Sequence, residues 1–298
     1  MVQVTLAGDT ADIIGAAGDE YFQQIQTHAA GLDALAKFVR ENLAPDALIA
    51  DIGANIGLTA IIFARLVPRG RVFAFEPSPE TAAFLRQNIE LNGLRNVTVV
   101  EAALGDAKGT VRFNHAEVFS AGSRVVSEGG IEVPALSLDD FCVQNGVRFD
   151  FLKIDTEGYE PWVLTGLTGQ LRPELPIWME FNSLCLTACG ANSLAFACGL
   201  TRAFDVRRVE SDGTFSPVLD GHAFLPENMV RRGCVDDLVL RPRHGCTVPP
   251  LAELIGHAPW RAEPPPAEWS ARAELAAVYR STSWRITAPV RAIGQLFK

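Results

Sequence analysis

Asp51, Glu76, Asp155 and Glu180 each fall at the end of an apolar run, and those ends are where this chain could do chemistry. Residues 48–57 read LIADIGANIG, so Asp51 leads into the turn Gly53-Ala54-Asn55-Ile56-Gly57. Residues 71–79 read RVFAFEPSP, which puts Glu76 at the tip of the next run, ahead of Pro77 and Ser78. A parallel strand that ends in a glycine turn and feeds a helix presents backbone N–H groups and a helix N-terminus to a ligand. An acid at the tip of the following strand can hold a ribose diol with two hydrogen bonds to one carboxylate. The chemistry this predicts is nucleoside binding. The alternative is an ordinary βαβ unit with a tight turn and no ligand.

The turn discriminates between nucleosides. A dinucleotide turn needs G-x-G-x-x-G so that the backbone can close on a pyrophosphate. Here Asn55 stands two places after Gly53, and the third glycine is absent. The pattern D-x-G-x-N-x-G resembles the first motif of the S-adenosylmethionine-dependent methyltransferases with a doubly wound fold. In those proteins the turn cradles a methionine tail, and the acid before it, here Asp51, faces the ligand's positive end. A second block, Lys153-Ile154-Asp155-Thr156-Glu157-Gly158, follows a short apolar run. Together with Asp51–Gly57, Phe75-Glu76-Pro77 and Glu101-Ala102-Ala103-Leu104-Gly105-Asp106, it makes roughly residues 35 to 240 resemble the FkbM-type methyltransferases.

That resemblance implies a class I, Rossmann-like α/β fold and S-adenosyl-L-methionine as cofactor. It also implies O-methylation of a hydroxyl on a sugar, a glycan or another small natural product. The cofactor contacts expected are Asp51, Gly53, Ala54, Asn55, Gly57, Glu76, Pro77 and Ser78, with Ala103 and Leu104 passing the adenine. A neutral hydroxyl is a poor nucleophile and must lose a proton. Asp155 is the first candidate for the base, or for a ligand of a divalent ion that acidifies the hydroxyl. Glu157 and Glu180 could join it, and three such oxygen ligands suit Mg²⁺ more than Zn²⁺. For Asp155 and Thr156 the competing reading is helix capping near residue 160. Lys153 shares Asp155's face on a regular strand and could pair with it or touch substrate. His115, in an insertion, is an alternative base. Two rival functions stay open: an NAD-dependent oxidoreductase acting on a nucleotide sugar, and a non-catalytic relative that binds only the cofactor or a partner.

These residues need a scaffold of alternating strands and helices, the mark of a doubly wound, mostly parallel sheet covered on both faces. The predicted strands are 47–52, 71–76, 97–104, 149–154 and 176–181, with helices near 56–66, 79–92, 137–145 and 160–168. Residues 109–135 break the rhythm and read as a β-hairpin insertion or lid, and 205–210 with 236–241 as a closing antiparallel pair. The predicted organisation is a helical lead-in at 1–34, the methyltransferase domain at 35–245, a Pro-rich linker at 246–268 and an amphipathic helical tail at 269–298.

Composition narrows the partners. The 298 residues are 48% hydrophobic, enough for a substantial core. The formal net charge is −9, and the basic excess is confined to residues 261–298. An acidic body argues against nucleic acid, which needs basic charge gathered on one face. The six cysteines form no C-x-x-C pair, so a zinc site is not expected and free thiols in a reducing cytoplasm are. The N-terminus lacks the pattern of a secretory signal, and no apolar run is long enough to span a membrane. In the tail, Ile286, Val290, Ile293 and Phe297 recur at helical spacing beside Arg285, Arg291 and Lys298. Such a stripe suits peripheral contact with the inner face of a membrane or burial against a second copy in a homodimer.

Overall fold

In the computed structural model, which describes residues 1–116 and 120–256, the chain opens as a hairpin. Strands β1 (Val2–Leu6) and β2 (Asp9–Ile13) pair antiparallel, with Val4, Leu6, Ala11 and Ile13 buried. Alternate residues of a strand share a face, and that period of two corrects the helical expectation for the first residues. Helices begin only at α1 (Glu20–Gln23), α2 (Ile25–Gly31) and α3 (Asp33–Asn42).

The βαβ rhythm then follows. β3 (Leu48–Ile52), α4 (Leu58–Leu66), β4 (Arg71–Phe75), α5 (Pro79–Leu91) and β5 (Val97–Val100) come in order. β3 and β4 are buried along nearly their whole length, as strands covered on both faces must be. Ser78 caps α5 by accepting from the N–H of Thr81, and Pro79 sits in its first turn, where a missing N–H costs nothing.

The predicted strand 97–104 is in fact two. β5 ends at Val100, where the N–H of Ala102 turns back to the Val100 carbonyl. β6 (Ala103–Leu104) then leaves for a separate four-stranded sheet with β7 (Gly109–Asn114), β8 (Arg124–Val126) and β9 (Ile131–Leu136), in the order β6-β9-β7-β8. The insertion expected at 109–135 is this small sheet.

The remaining elements are α6 (Leu138–Asn145), β10 (Phe151–Ile154), α7 (Glu160–Thr165), β11 (Ile177–Asn182), α8 (Ser183–Ala188), α9 (Ser193–Ala203), β12 (Phe204–Arg208), α10 (Gly221–Arg231), β13 (Val235–Pro242) and α11 (Leu251–Leu254). The main sheet has seven strands in the order β12-β13-β11-β10-β3-β4-β5. β13 runs antiparallel to both neighbours, and the pairs β11-β10, β10-β3, β3-β4 and β4-β5 are parallel. The doubly wound sheet and its closing antiparallel pair are therefore present, although α10 rather than a tight turn joins β12 to β13.

Two features of this sheet position the site. Strand order reverses between β3 and β10, and at such a switch point the loops after the strands part and leave a crevice. Register also sets one face, since Lys153 lies beside Asp51 on one side and Trp178 on the other, and Glu180 beside Asp237. Phe38 of α3 packs on Phe151 and Trp178 of that face, at ring-centroid distances of 5.8 Å each, which brings the N-terminal helices over it. Among the described residues no helix is long and apolar enough to cross a membrane. The linker beyond residue 256 and the tail at 269–298 lie outside the described residues.

Candidate active site at the switch point

The glycine turn after β3 is shaped by left-handed backbone at Gly53, Asn55 and Gly57, with φ of 80°, 47° and 101°. A Cβ on Gly53 would lie 1.8 Å from the carbonyl oxygen of Asp155, so only glycine lets the turn approach the end of β10. The N–H groups of Gly53 and Ala54 both donate to the Phe75 carbonyl at 3.0 Å, fastening the turn to β4. Immediately beyond, Glu76 is held from both sides: Oε2 accepts from the N–H of Asn55 at 3.0 Å and Oε1 from the N–H of Ser78 at 2.9 Å. Each carboxylate oxygen keeps a lone pair for a further donor, such as a diol hydroxyl. Burial pushes the Glu76 carboxyl up to about 7, and the two N–H groups only partly offset it.

This turn opens into a cavity whose walls include Gly53, Ala54, Asn55, Glu76, Pro77, Ala103 and Leu104, all expected from the sequence. Three residues predicted to touch the cofactor do not line it. Ser78 is spent on capping α5 and orienting Glu76. Gly57 is the N-cap of α4, packed so closely on Leu85 that a Cβ would approach it to 2.6 Å. Asp51 is fully buried beneath the turn, with Oδ2 accepting from Thr59 Oγ1 at 2.7 Å and Oδ1 without a hydrogen bond. Burial raises its carboxyl, against the pull of Lys153.

Lys153 connects the buried acid to the cavity. Its ammonium, 7% exposed, stands 3.0 Å from Asp155 Oδ2, 3.8 Å from Asp51 Oδ1, and donates to the Gly53 carbonyl at 3.0 Å. Burial pulls this lysine down, but Asp155 and Asp51 more than offset it and hold it above an ordinary lysine. Asp155 does not cap α7; the N-cap position is Tyr159, which makes no side-chain cap bond. Instead Glu160, buried and unpredicted, closes the loop by accepting from the N–H groups of Thr156 and Gly158 and from Thr156 Oγ1. Nothing in the local sequence separates Glu160 from an ordinary first-turn acid.

Asp155 and Glu157 both line the cavity, and one oxygen each from Asp155, Glu157 and Glu180 lie within 4.8 Å of one another. Glu180 is not among the lining residues, and its Oε2 is buried with no hydrogen-bond partner. Glu157 sits at φ 53° and accepts from Cys185 Sγ at 3.1 Å. Burial, reinforced by the Asp155 charge, pushes its carboxyl up to about 8, and burial with the same neighbours raises Glu180 well above the usual range. His115 is elsewhere. It lines a second cavity with Asp19, Glu80 and Ser120, its Nδ1 3.3 Å from Ser78 Oγ and its Nε2 3.5 Å from Glu80, so it is not positioned as a base for this site.

Four further residues line the main cavity and carry no motif: Tyr21, His28, Trp178 and Asp237. Tyr21 and His28 stack at 4.3 Å, and Tyr21 is near enough to Lys153 and Asp155 for their charges to act on its hydroxyl. Burial lowers the His28 imidazole, with Asp19 opposing. Trp178 Nε1 donates to Asp237 Oδ1 at 3.1 Å. The face shared by Trp178 and Glu180 is readable from strand alternation; the N-terminal pair is not, because only tertiary packing brings it over the sheet.

The fold and cavity define a doubly wound domain with a nucleoside-type turn. Residues 51–183 match the family model described as the Methyltransferase FkbM domain. Among curated relatives, the chain is 29% identical over 161 residues to the 2-O-methyltransferase NoeI of Sinorhizobium fredii, covering 46% of this chain and 64% of that one. It is 30% identical over 138 residues to the hexuronic acid methyltransferase AglP of Haloferax volcanii, covering 46% and 56% respectively. The chain thus spans less than two thirds of the length of each. A solved ribosomal protein L11 methylase from Lactobacillus delbrueckii subsp. bulgaricus is 14% identical with a TM-score of 0.41, over 72% of this chain and 80% of that one.

Proposed function

We propose that this chain is an S-adenosylmethionine-dependent O-methyltransferase acting on a hydroxyl of a sugar, a glycan or another small natural product. One observation carries the reading: the glycine turn, the Glu76 carboxylate and the Asp155 carboxylate open into the same cavity. Glu76, doubly oriented by backbone N–H groups, suits a ribose diol, and Gly53 to Asn55 suit an amino-acid tail that needs close backbone approach. Ala103 and Leu104 suit the adenine. When bound, the cofactor supplies a methyl group on a sulfonium, an electrophile the protein need not activate. The names of the relatives, a 2-O-methyltransferase and a hexuronic acid methyltransferase, support a sugar-like acceptor.

The chain's own tasks are then to align the acceptor oxygen and to take its proton. Asp155 is the base: its carboxylate is partly exposed in the cavity and its Oδ2 is fixed by Lys153. The acceptor hydroxyl would give its proton to that carboxylate, which would leave its oxygen as the nucleophile toward the methyl group that a bound cofactor would supply. A second version is favoured by the partnerless Oε2 of Glu180. In it Asp155, Glu157 and Glu180 would hold Mg²⁺ as hard oxygen ligands, and the ion would acidify the hydroxyl. The basic, apolar-striped sequence of residues 281–298 supports a peripheral membrane contact or a homodimer, which liposome flotation and light scattering on the full chain and on a chain ending at Pro266 would separate. Calorimetry tests the core of the proposal: S-adenosylhomocysteine should bind and NAD should not. Tight NAD binding without a response to S-adenosylhomocysteine would replace it with an oxidoreductase.

A further inference from the structure

The part of the cavity outside the cofactor turn has a charge pattern that bears on the acceptor. Among the described residues that line the cavity, Asp155, Glu157, Glu76 and Asp237 are acidic, and Lys153 is the only lysine or arginine. Lys153 is engaged three times over, with Asp155, Asp51 and the Gly53 carbonyl, so no donor charge is left for an incoming anion. His28 does not supply one, because burial lowers its imidazole and keeps it neutral at pH 7. Glu180 adds a further carboxyl within the 4.8 Å cluster behind Asp155 and Glu157.

The remaining walls suit a ring that carries hydroxyls. Tyr21 and His28 from the N-terminal helices give an aromatic pair, Leu32 and Leu35 give apolar contact, and Asp237 is a hydrogen-bond acceptor beside Trp178. All of these lie outside the matched residues 51–183 except Trp178. A carboxylate or phosphate entering here would give up water without meeting a free counter-charge, and an ion buried unpaired is costly.

We infer that the acceptor subsite, walled by Tyr21, His28, Trp178 and Asp237 over the Asp155–Glu157 carboxylates, takes an uncharged hydroxyl-bearing ring and rejects acceptors that carry a carboxylate or phosphate. The inference rests on the methyltransferase reading above and sharpens it. It separates this chain from the relative named a hexuronic acid methyltransferase.

The test uses the full chain saturated with S-adenosylhomocysteine, with saturation confirmed by calorimetry on the same sample. Saturation-transfer NMR at pH 7.5 then compares methyl β-D-glucopyranoside with methyl β-D-glucuronide, two probes that differ in one carboxylate. The glucoside should bind at least about tenfold more tightly, the scale of one ion left without a counter-charge in a partly desolvated site. In Asp237→Asn the gap should narrow about threefold or more. A glucuronide that binds as well as the glucoside, no binding of either glycoside, or an unchanged gap in Asp237→Asn overturns the inference while leaving the cofactor reading intact. Failure of S-adenosylhomocysteine to bind overturns the cofactor reading itself, so the two failures are distinguishable.

Discussion

Lys153 Nζ lies 3.0 Å from Asp155 Oδ2, and the same ammonium is 3.8 Å from Asp51 Oδ1. One cation therefore serves an acid in the cavity and an acid buried beneath it, and through the Gly53 carbonyl it also fixes the turn between them. The motif residues of β3 and β10 are in this way one electrostatic unit, built on adjacent positions of two paired strands.

Removing that cation should be costly. Lys153→Met leaves the Asp51 carboxylate, 0% exposed, without its counter-charge, and orphaning a buried ion typically costs about 3–5 kcal/mol. Chemical denaturation should record a loss on that scale. The double variant Lys153→Met/Asp51→Asn should recover a good part of it, because it removes the unpaired charge. Equal losses in the single and double variants would mean that Lys153 contributes packing alone.

Glu76 should govern cofactor affinity in a pH-dependent way. Glu76→Ala should weaken S-adenosylhomocysteine binding by about 1–3 kcal/mol, the range for hydrogen bonds to a charged group. The ionised form is the one that accepts two hydroxyl donors, and its carboxyl is pushed up to about 7. Affinity should therefore rise with pH from about 6 to about 8 in the wild type, and Glu76→Gln should flatten that rise. Calorimetry at three pH values in buffers of matched ionic strength reads both effects.

Asp155→Asn should lower methyl-transfer turnover by about 10²-fold or more, the usual worth of a positioned base, while S-adenosylhomocysteine still binds. Chelation distinguishes the two versions of its role. Loss of activity in EDTA that Mg²⁺ restores places an ion on Asp155, Glu157 and Glu180, whereas indifference leaves Asp155 as the direct base. Full activity in Asp155→Asn removes it from the mechanism.

Much of this arrangement is legible in the sequence because parallel strands write themselves as apolar runs. The runs at 48–52 and 71–75 place Gly53 and Glu76 correctly, and Pro79 marks the start of α5. What the sequence hides is what only three dimensions create. Asp51 reads as a ligand contact, yet it lies fully buried beneath the glycine turn, bound to Thr59 and facing Lys153. Residues 97–104 read as one strand, yet the chain changes sheets at Glu101-Ala102, with no glycine or proline to mark the break. Tyr21 and His28 line the cavity from helices that precede α3, whose Phe38 packs on Trp178, a contact between residues far apart in the chain.

The buried carboxyls should also set how the cofactor-free protein responds to pH. Glu76 is pushed up to about 7 and Glu157 to about 8, while Glu180 is raised by the same burial. Each keeps its proton in the folded chain at pH values where the unfolded chain has already released it, at about 4 to 4.5. Where the native state binds more protons, stability falls as pH rises, by up to about 1.4 kcal/mol per pH unit per proton. Lys153, held above an ordinary lysine, contributes fully throughout this range and adds no slope. His28 works in the opposite sense, since its lowered imidazole favours the folded state as pH rises toward about 6.5, but it is one group against several. Melting temperature should therefore decline from about pH 5 to about pH 8. Glu157→Gln should remove the upper part of the decline and Glu76→Gln the middle. A wild-type curve that is flat or rising over this range would mean that these carboxyls are already ionised in the folded chain.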